Sequence, residues 1–95
     1  MLNELDPILH SQLRLAIMSL LVSLEEAEFV YLKEKTKASA GNLSLQLDKL
    51  KDAGYVEVIK TFKNNYPLTK CKITKKGIKA FEKYINDIKG YLHLE

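Results

Sequence analysis

The chain has 95 residues, of which 46% are hydrophobic, and its net charge is +3. This length fits a single domain over residues 1–95, and a domain this small often dimerises in order to bury enough surface. The longest apolar run is much shorter than the roughly 20 residues of a membrane span, and acidic Glu4 and Asp6 stand where an export signal carries positive charge. We therefore expect a cytoplasmic protein.

Positive charge is concentrated in the middle of the chain. Residues 31–80 carry twelve basic and four acidic side chains, whereas residues 1–30 carry one basic and five acidic side chains. This asymmetry is typical of a surface that binds a polyanion. A lysine-rich face that serves only solubility would produce the same pattern, so charge alone leaves both interpretations open.

Asp6 and Pro7 form a helix-start signal, because an acidic N-cap precedes a proline at the first helical position. They predict a first helix from about Pro7 to Val22, within a flanking region of residues 7–24. Its apolar residues fall on two faces, and two apolar faces need two partners. One partner would be the domain core, and the other would be the same region of a second subunit.

Two further helices follow an acidic turn at residues 25–28. A short helix is predicted over about Val30 to Lys37, and a third helix begins with Ser39 as its N-cap and ends before Gly54. The core-facing residues of the third helix are spaced by four and three positions: Leu43, Leu47 and Leu50. The short connection between these helices is typical of a helix-turn-helix, here over residues 30–53.

β-Branched residues then predict two strands, from Tyr55 to Phe62 and from Leu68 to Thr74, joined by a turn-rich loop of about five residues. This hairpin occupies residues 55–74. Thr74 can cap a last helix, whose apolar residues repeat at helical spacing over residues 76–91. The order α-α-α-β-β-α is mainly α with a small β-hairpin, which is the architecture of a winged helix-turn-helix domain.

The third helix has the composition of a DNA-reading helix, since the stripe opposite its leucines is small, polar or basic. Asn42 and Gln46 can donate to and accept from an adenine edge, and Lys49 can reach the phosphate backbone. Lys70 and Lys72 share one strand face, which suits phosphate contact or, alternatively, protects an edge strand from aggregation. The candidate DNA-binding residues are Ser39, Asn42, Ser44, Leu45, Gln46, Lys49, Lys60, Lys63, Asn65, Lys70 and Lys72.

Several passages of the sequence resemble the compact winged-helix transcriptional regulators related to the MarR and ArsR groups. They are FVYLKEKT (29–36), SAGNLSLQLDKLK (39–51), AGYVEVIKTF (53–62), Pro67 and KITKKGIKAF (72–81). The most specific pieces are GNLS, AGYVEV and ITKKG. The chain departs from such regulators at Leu45, Asn65 and Leu68, where they usually carry polar or basic residues.

The resemblance implies a sequence-specific regulator that binds duplex DNA as a homodimer, with helix 3 in the major groove and the hairpin wing along the adjacent backbone or minor groove. Recognition would then fall on Asn42, Ser44, Gln46 and Lys49. The dimer would form through the first and last helices. The expected interface residues are Ile8, Leu15, Met18, Val22, Phe81, Tyr84, Ile85, Ile88 and Tyr91.

Other functions find less support in the residues. We expect no enzyme, because His10 and His93 lie on an apolar helix and near the end of the chain, away from converging titratable groups. We expect neither a metal nor a cofactor, since Cys71 with two histidines is a sparse ligand set; Cys71 is interpreted as a small buried side chain. The alternative function is a winged-helix protein-interaction module without DNA binding, which Leu45 and Tyr66 favour.

A small-molecule effector is a further alternative. The seam between the dimer helices could open into a pocket lined by Met18, Tyr84 and Tyr91, although simple packing of these residues at the interface is the favoured interpretation. At the end of the chain we expect Leu94 and Glu95 to be a cloning scar, and we assign them no function.

Overall fold

A computed structural model describes residues 2–93, so the interpretation of Leu94 and Glu95 lies outside the described residues. Its elements follow in the order α1 (Gln12–Leu24), β1 (Glu26–Glu28), α2 (Phe29–Thr36), α3 (Ala40–Asp52), β2 (Val56–Lys63), β3 (Tyr66–Ile73) and α4 (Lys75–Tyr91). The predicted winged-helix fold is confirmed. No helix within the described range is long and apolar enough to cross a membrane.

The first helix begins at Gln12 and not at Pro7, so that predicted boundary was wrong. Asp6 does cap a turn: its Oδ1 accepts a hydrogen bond from the backbone N–H of Ile8, and its backbone oxygen accepts one from His10, both at 2.8 Å. The turn does not continue into the helix because Ser11 is extended, with a φ of −152°. Asp6 and Pro7 therefore begin a separate turn that precedes α1.

The strand β1 was not predicted. It pairs antiparallel with β3, which also pairs with β2, so the sheet order is β1-β3-β2. The sequence Glu-Ala-Glu has little intrinsic preference for a strand, and β1 forms because β3 offers it a backbone ladder. Since β3 is the central strand, the alternative in which Lys70 and Lys72 protect an edge strand is wrong.

The hairpin turn is tighter than predicted. The strands β2 and β3 extend to Lys63 and Tyr66, which leaves only Asn64 and Asn65 as the connection. Both asparagines have positive φ, 52° and 67°. Two left-handed residues match the right-handed twist of the strands, and asparagine tolerates this conformation better than most residues. The wing is therefore a continuous ribbon and not a loosely connected pair of strands.

The core lies between the helices and the inner face of the sheet. Its buried residues come from every helix and from both long strands: Leu9, Ile17, Met18, Leu21, Leu32, Leu43, Leu47, Leu50, Val56, Cys71, Ile73 and Tyr84. The three leucines predicted for α3 are among them. Cys71 is fully buried, as interpreted from the sequence, and burial raises the pKa of its thiol to about 11.

The start of α4 is fastened to the connection between α3 and β2. The Thr74 hydroxyl accepts a hydrogen bond from the backbone N–H of Gly77 at 2.9 Å and donates one to the backbone oxygen of Gly54 at 2.7 Å. A Cβ atom on Gly77 would lie 2.2 Å from the backbone oxygen of Tyr55. We call Gly54, Tyr55, Thr74 and Gly77 the α3–α4 junction. It fixes the wing between two helices.

Candidate nucleic-acid interface

The face of α3 opposite the core is open to solvent. The helix begins at Ser39, whose hydroxyl accepts a hydrogen bond from the backbone N–H of Asn42 at 3.1 Å, as an N-cap should. Five of the six residues predicted on this helix are exposed: Ser39, Asn42, Ser44, Leu45 and Lys49. Gln46 is half-buried. The exposed side is polar or small except at Leu45, which is 52% exposed.

A chain of hydrogen bonds crosses from α1 to this face. Arg14 Nη1 donates to Gln46 Oε1, and Gln46 Nε2 donates to Asn42 Oδ1 at 3.0 Å. Arg14 Nε also donates to the backbone oxygen of Ile8. Both ends of the Gln46 amide therefore make hydrogen bonds within the protein, and its predicted contact with a base stays a prediction.

The wing lies next to α3 across a groove of about 320 Å³. The groove is lined by residues of α3, the wing and the start of α2: Phe29, Ser44, Leu47, Asp48, Val58, Lys60 and Thr69. The strand register pairs Lys60 with Thr69, so this lysine lies on the wing face that turns toward α3. Lys60 can thus act together with the exposed side of α3 on one ligand.

Lys70 and Lys72 lie on the opposite face of the sheet. In the register, Lys72 stands between Glu26 and Glu57, and Lys70 stands next to Glu28. Residues directly opposite one another in a sheet share a face, so each lysine has a carboxylate neighbour. The prediction that both lysines share one face holds, but this face is not the one beside α3. The positive charge of the two lysines is therefore offset by Glu57 and by Glu26 and Glu28, two residues that were predicted to lie in a turn.

The remaining predicted wing residues lie near the hairpin tip. Lys63 pairs with Tyr66 at the end of the ladder, and Asn65 is one of the two turn residues. Phe62 and Tyr66 are 73% and 75% exposed. The tip therefore offers amides and aromatic rings in place of a cluster of basic side chains.

The last helix, α4, has two distinct stripes. On one stripe Tyr84 is buried, and Asp87 accepts hydrogen bonds from Lys83 Nζ at 2.6 Å and from Asn3 Nδ2 at 2.9 Å. These hydrogen bonds lower the pKa of Asp87. The other stripe is apolar and half-buried or exposed, and it consists of Ile78, Phe81, Ile85, Ile88 and Leu92.

The structure corrects part of the predicted dimer interface. Met18 and Tyr84 belong to the chain's own core, and buried side chains have no surface for a partner. Tyr91 donates a hydrogen bond from its phenol to the backbone oxygen of Asn3 at 2.7 Å. The effector pocket between two subunits stays a prediction. The other predicted interface residues are half-buried or exposed: Ile8, Leu15, Val22, Phe81, Ile85, Ile88 and Tyr91.

The sequence reasoning missed Arg14. It is the one basic residue among the first thirty, and it stands on a helix with no other charged residue. A lone arginine in such a position commonly has fixed partners, because its charge would otherwise oppose burial. The sequence therefore indicated that Arg14 has a fixed partner, but it could not identify Gln46, which lies 32 positions further along the chain.

A helix-turn-helix joined to a β-hairpin, with an open polar face on its second helix, defines the winged-helix class of nucleic-acid-binding domain. Residues 13–92 match the family described as the winged helix DNA-binding domain. The chain belongs to this family, and the matched residues make up most of its length.

Three relatives illustrate the similarity. The chain is 44% identical over 81 residues to an uncharacterized protein of Methanocaldococcus jannaschii, covering 85% of this chain and 88% of that protein. It is similar to the structure of a transcriptional regulator homologue of Pyrococcus horikoshii, with a TM-score of 0.85, 26% identity and coverage of 90% and 85%. A mutant MarR of Escherichia coli in complex with operator DNA shares the fold, with a TM-score of 0.73, 20% identity and coverage of 87% of this chain and 58% of that chain.

Proposed function

We propose that this protein is a homodimeric transcriptional regulator that binds duplex DNA sequence-specifically, with α3 in the major groove and the wing against the neighbouring backbone. The observation that carries the proposal is the exposed polar face of α3, which lies beside Lys60 across the groove. The description of the Pyrococcus horikoshii protein as a transcriptional regulator homologue supports the same role.

The geometry of α3 suits a major groove, which is about 12 Å wide and admits one helix. In helix-turn-helix proteins the N-terminal part of the second helix contacts the bases. Here that part carries Asn42 and Ser44, with no bulky side chain at Ala40 or Gly41. Lys49 stands further along the exposed side, where it can contact phosphate. Base reading and phosphate contact are thus separated along one helix.

The proposal of a homodimer rests on the apolar stripe of α4. Its residues are spaced by three and four positions, as in a helix that packs along a partner. Ile78 is 38% exposed and Leu92 is 60% exposed, so the stripe continues beyond the surface that the chain itself covers. In such a dimer the two copies of α3 would have to lie about 34 Å apart in order to reach successive turns of DNA.

DNA binding is tested by fluorescence anisotropy with random and selected duplexes at several salt concentrations. Neutralised phosphates release counterions, so we expect affinity to fall steeply with salt and to rise on a palindromic selected site. Lys60→Ala should weaken binding to every duplex and reduce the salt slope by about one. Lys72→Ala is the matched control, because it removes the same charge from the opposite face, and it should change binding much less. Equal effects of the two variants would contradict the placement of the interface.

The dimer is tested by sedimentation of variants of two isoleucines that are equally exposed. Ile78 and Ile59 are both 38% exposed, but Ile78 belongs to the α4 stripe and Ile59 to the outer face of the sheet. We expect wild type and Ile59→Glu to sediment as dimers and Ile78→Glu to sediment as a monomer. A wild-type monomer, or a dimer in both variants, would show that α4 does not hold the subunits together.

Docking of a protein partner is the second candidate function. Leu45 on α3 and the aromatic residues Phe62 and Tyr66 at the wing tip are exposed, and such side chains anchor many protein interfaces. The affinity of a protein partner for these apolar side chains would depend little on salt concentration. A flat salt profile with no preference among duplexes would therefore favour this function over DNA binding.

A further inference from the structure

The orientation of the Asn42 side chain is set from α1. An asparagine or glutamine amide has one end that only accepts hydrogen bonds and one that only donates them, so a free amide can present either end to a ligand. A guanidinium only donates. When an arginine stands at the start of a chain of amides, it therefore determines the direction of every amide after it.

Arg14 stands at the start of such a chain. Because its Nη1 can only donate, Gln46 must turn its Oε1 toward Arg14 and its Nε2 toward Asn42. Asn42 must in turn use its Oδ1 to accept from Gln46. Reversing Gln46 would place its amino group against the guanidinium, so that two donors would face each other without an acceptor. Backbone oxygens of Ile8 and Pro7 hold Arg14 in place.

The amino group is then the end of the Asn42 amide that has no hydrogen bond within the described chain. Asn42 is exposed and lies in the first turn of α3. An asparagine that reads adenine needs both ends of its amide, one to accept from the adenine amino group and one to donate to N7. Gln46 occupies one of the two acceptor positions of the Asn42 oxygen and holds that oxygen on the side of Gln46, so the accepting half of that contact is less available than the donating half. An adenine edge, which the sequence suggested, therefore suits this geometry less well than an edge that only accepts.

We propose that Arg14, through Gln46, directs the donor end of Asn42 toward the DNA, so that the protein selects guanine, whose N7 and O6 both accept, at the base pair facing Asn42. Arg14 is then a positioning residue for specificity, since it acts through Gln46. The inference rests on the proposed binding of duplex DNA by α3, and it adds the base that one side chain prefers and the residue that sets this preference.

The test is selection of bound sequences from a random duplex library, followed by titration of the selected site and its guanine-to-adenine variant. Wild type should prefer guanine by about tenfold, which is within the range of one good base contact. Arg14→Lys keeps a donor-only group and should keep the preference. Arg14→Gln can donate or accept, so Gln46 can reverse, and the preference should fall to about twofold.

Asn42→Asp supplies a second, independent variant, which leaves Arg14 and α1 unchanged. One carboxylate oxygen would accept from Gln46 and the other would face the DNA as an acceptor. The preference should therefore move from guanine toward cytosine, whose amino group donates. Thermal unfolding of each variant shows whether it remains folded, and Asn42→Asp keeps the inference testable if Arg14→Gln does not fold.

The outcomes separate this inference from the proposed function. Salt-dependent binding with a selected site, but with adenine preferred by wild type or with guanine retained at full strength in folded Arg14→Gln, would overturn the role of Arg14 alone. A guanine preference retained by Asn42→Asp would overturn it as well. Absence of DNA binding by wild type would overturn the proposed function and this inference together.

Discussion

Two glycines near the starts of helices have opposite surroundings. Gly41 in the first turn of α3 has no heavy atom within 4 Å of the position of a Cβ atom, whereas Gly77 in the first turn of α4 would place that atom 2.2 Å from the backbone oxygen of Tyr55. Gly41 belongs to GNLS and Gly77 to ITKKG, two of the most specific passages of the sequence. One glycine leaves a surface open, and the other lets two parts of the backbone meet.

The comparison shows that a specific motif does not by itself identify a binding site. AGYVEV and ITKKG contact each other at the α3–α4 junction, where Thr74 bridges Gly54 and Gly77. Their residues are needed to set the wing between two helices. GNLS lies on the exposed side of α3, and apart from buried Leu43 its side chains are available to a ligand. Substitutions in the two regions should therefore separate into effects on stability and effects on binding.

The largest expected effect comes from Gly77→Ala. The added methyl would collide with a backbone oxygen, so α4 or the α3–α4 junction must shift, and we expect a loss of about 3 kcal/mol in the free energy of unfolding. Urea denaturation followed by circular dichroism measures this change. Gly41→Ala is the matched control in a helix of the same kind, and it should increase stability by up to about 1 kcal/mol because alanine is the better helix former. Similar destabilisation by both would remove the distinction between the two glycines.

The two helix caps provide a second, smaller contrast. Thr74→Ala removes the cap of α4 and also the hydrogen bond to Gly54, so we expect a cost of about 2 kcal/mol. Ser39→Ala removes only an exposed cap from α3 and should cost about 1 kcal/mol or less. Urea unfolding at neutral pH compares them directly. If Ser39→Ala proved the more damaging, the stability of the domain would depend more on α3 than on the α3–α4 junction.

Local signals explain which parts of the fold could be predicted. The boundaries of α3 follow from Ser39, three leucines and Gly54, all within sixteen positions of one another, and the structure reproduces them. The strand β1 was missed because it depends on a distant partner, and a distant residue also contacts the turn that precedes α1. Glu26 pairs with Lys72, and Asp6 accepts a hydrogen bond from Tyr55. Neither contact leaves a trace in the local pattern of residues.

The same distinction applies to the candidate site. Helical spacing was enough to place Asn42 and Lys49 on the outer side of α3. It could not show that Gln46 is bound by Arg14, because that contact joins two helices. Strand alternation showed that Lys70 and Lys72 share a face, but only the register of all three strands reveals which face lies beside α3. Tertiary contacts, not composition, decide which polar residues remain free to bind.

The smallest expected effect on stability comes from the Tyr55 phenol, which lies in the α3–α4 junction. Burial and the hydrogen bond that it donates to Asp6 raise the pKa of Tyr55 from 10.0 to about 12. The folded protein therefore holds this proton more tightly than the unfolded chain does. The resulting stability is complete below pH 10 and is lost as the pH rises from 10 to about 12.

Tyr55→Phe should be less stable than wild type by about 1 kcal/mol at neutral pH, because one hydrogen bond is lost. It should also lose less stability than wild type on moving above pH 10, since it no longer has this phenol to ionise. Cys71, whose pKa is also raised, keeps some alkaline dependence in both proteins. Tyr66→Phe is the control, because that ring is 75% exposed, and it should follow the wild-type curve. Urea midpoints measured between pH 7 and pH 11 decide the matter: coincident alkaline slopes for wild type and Tyr55→Phe would mean that the phenol does not contribute to the α3–α4 junction.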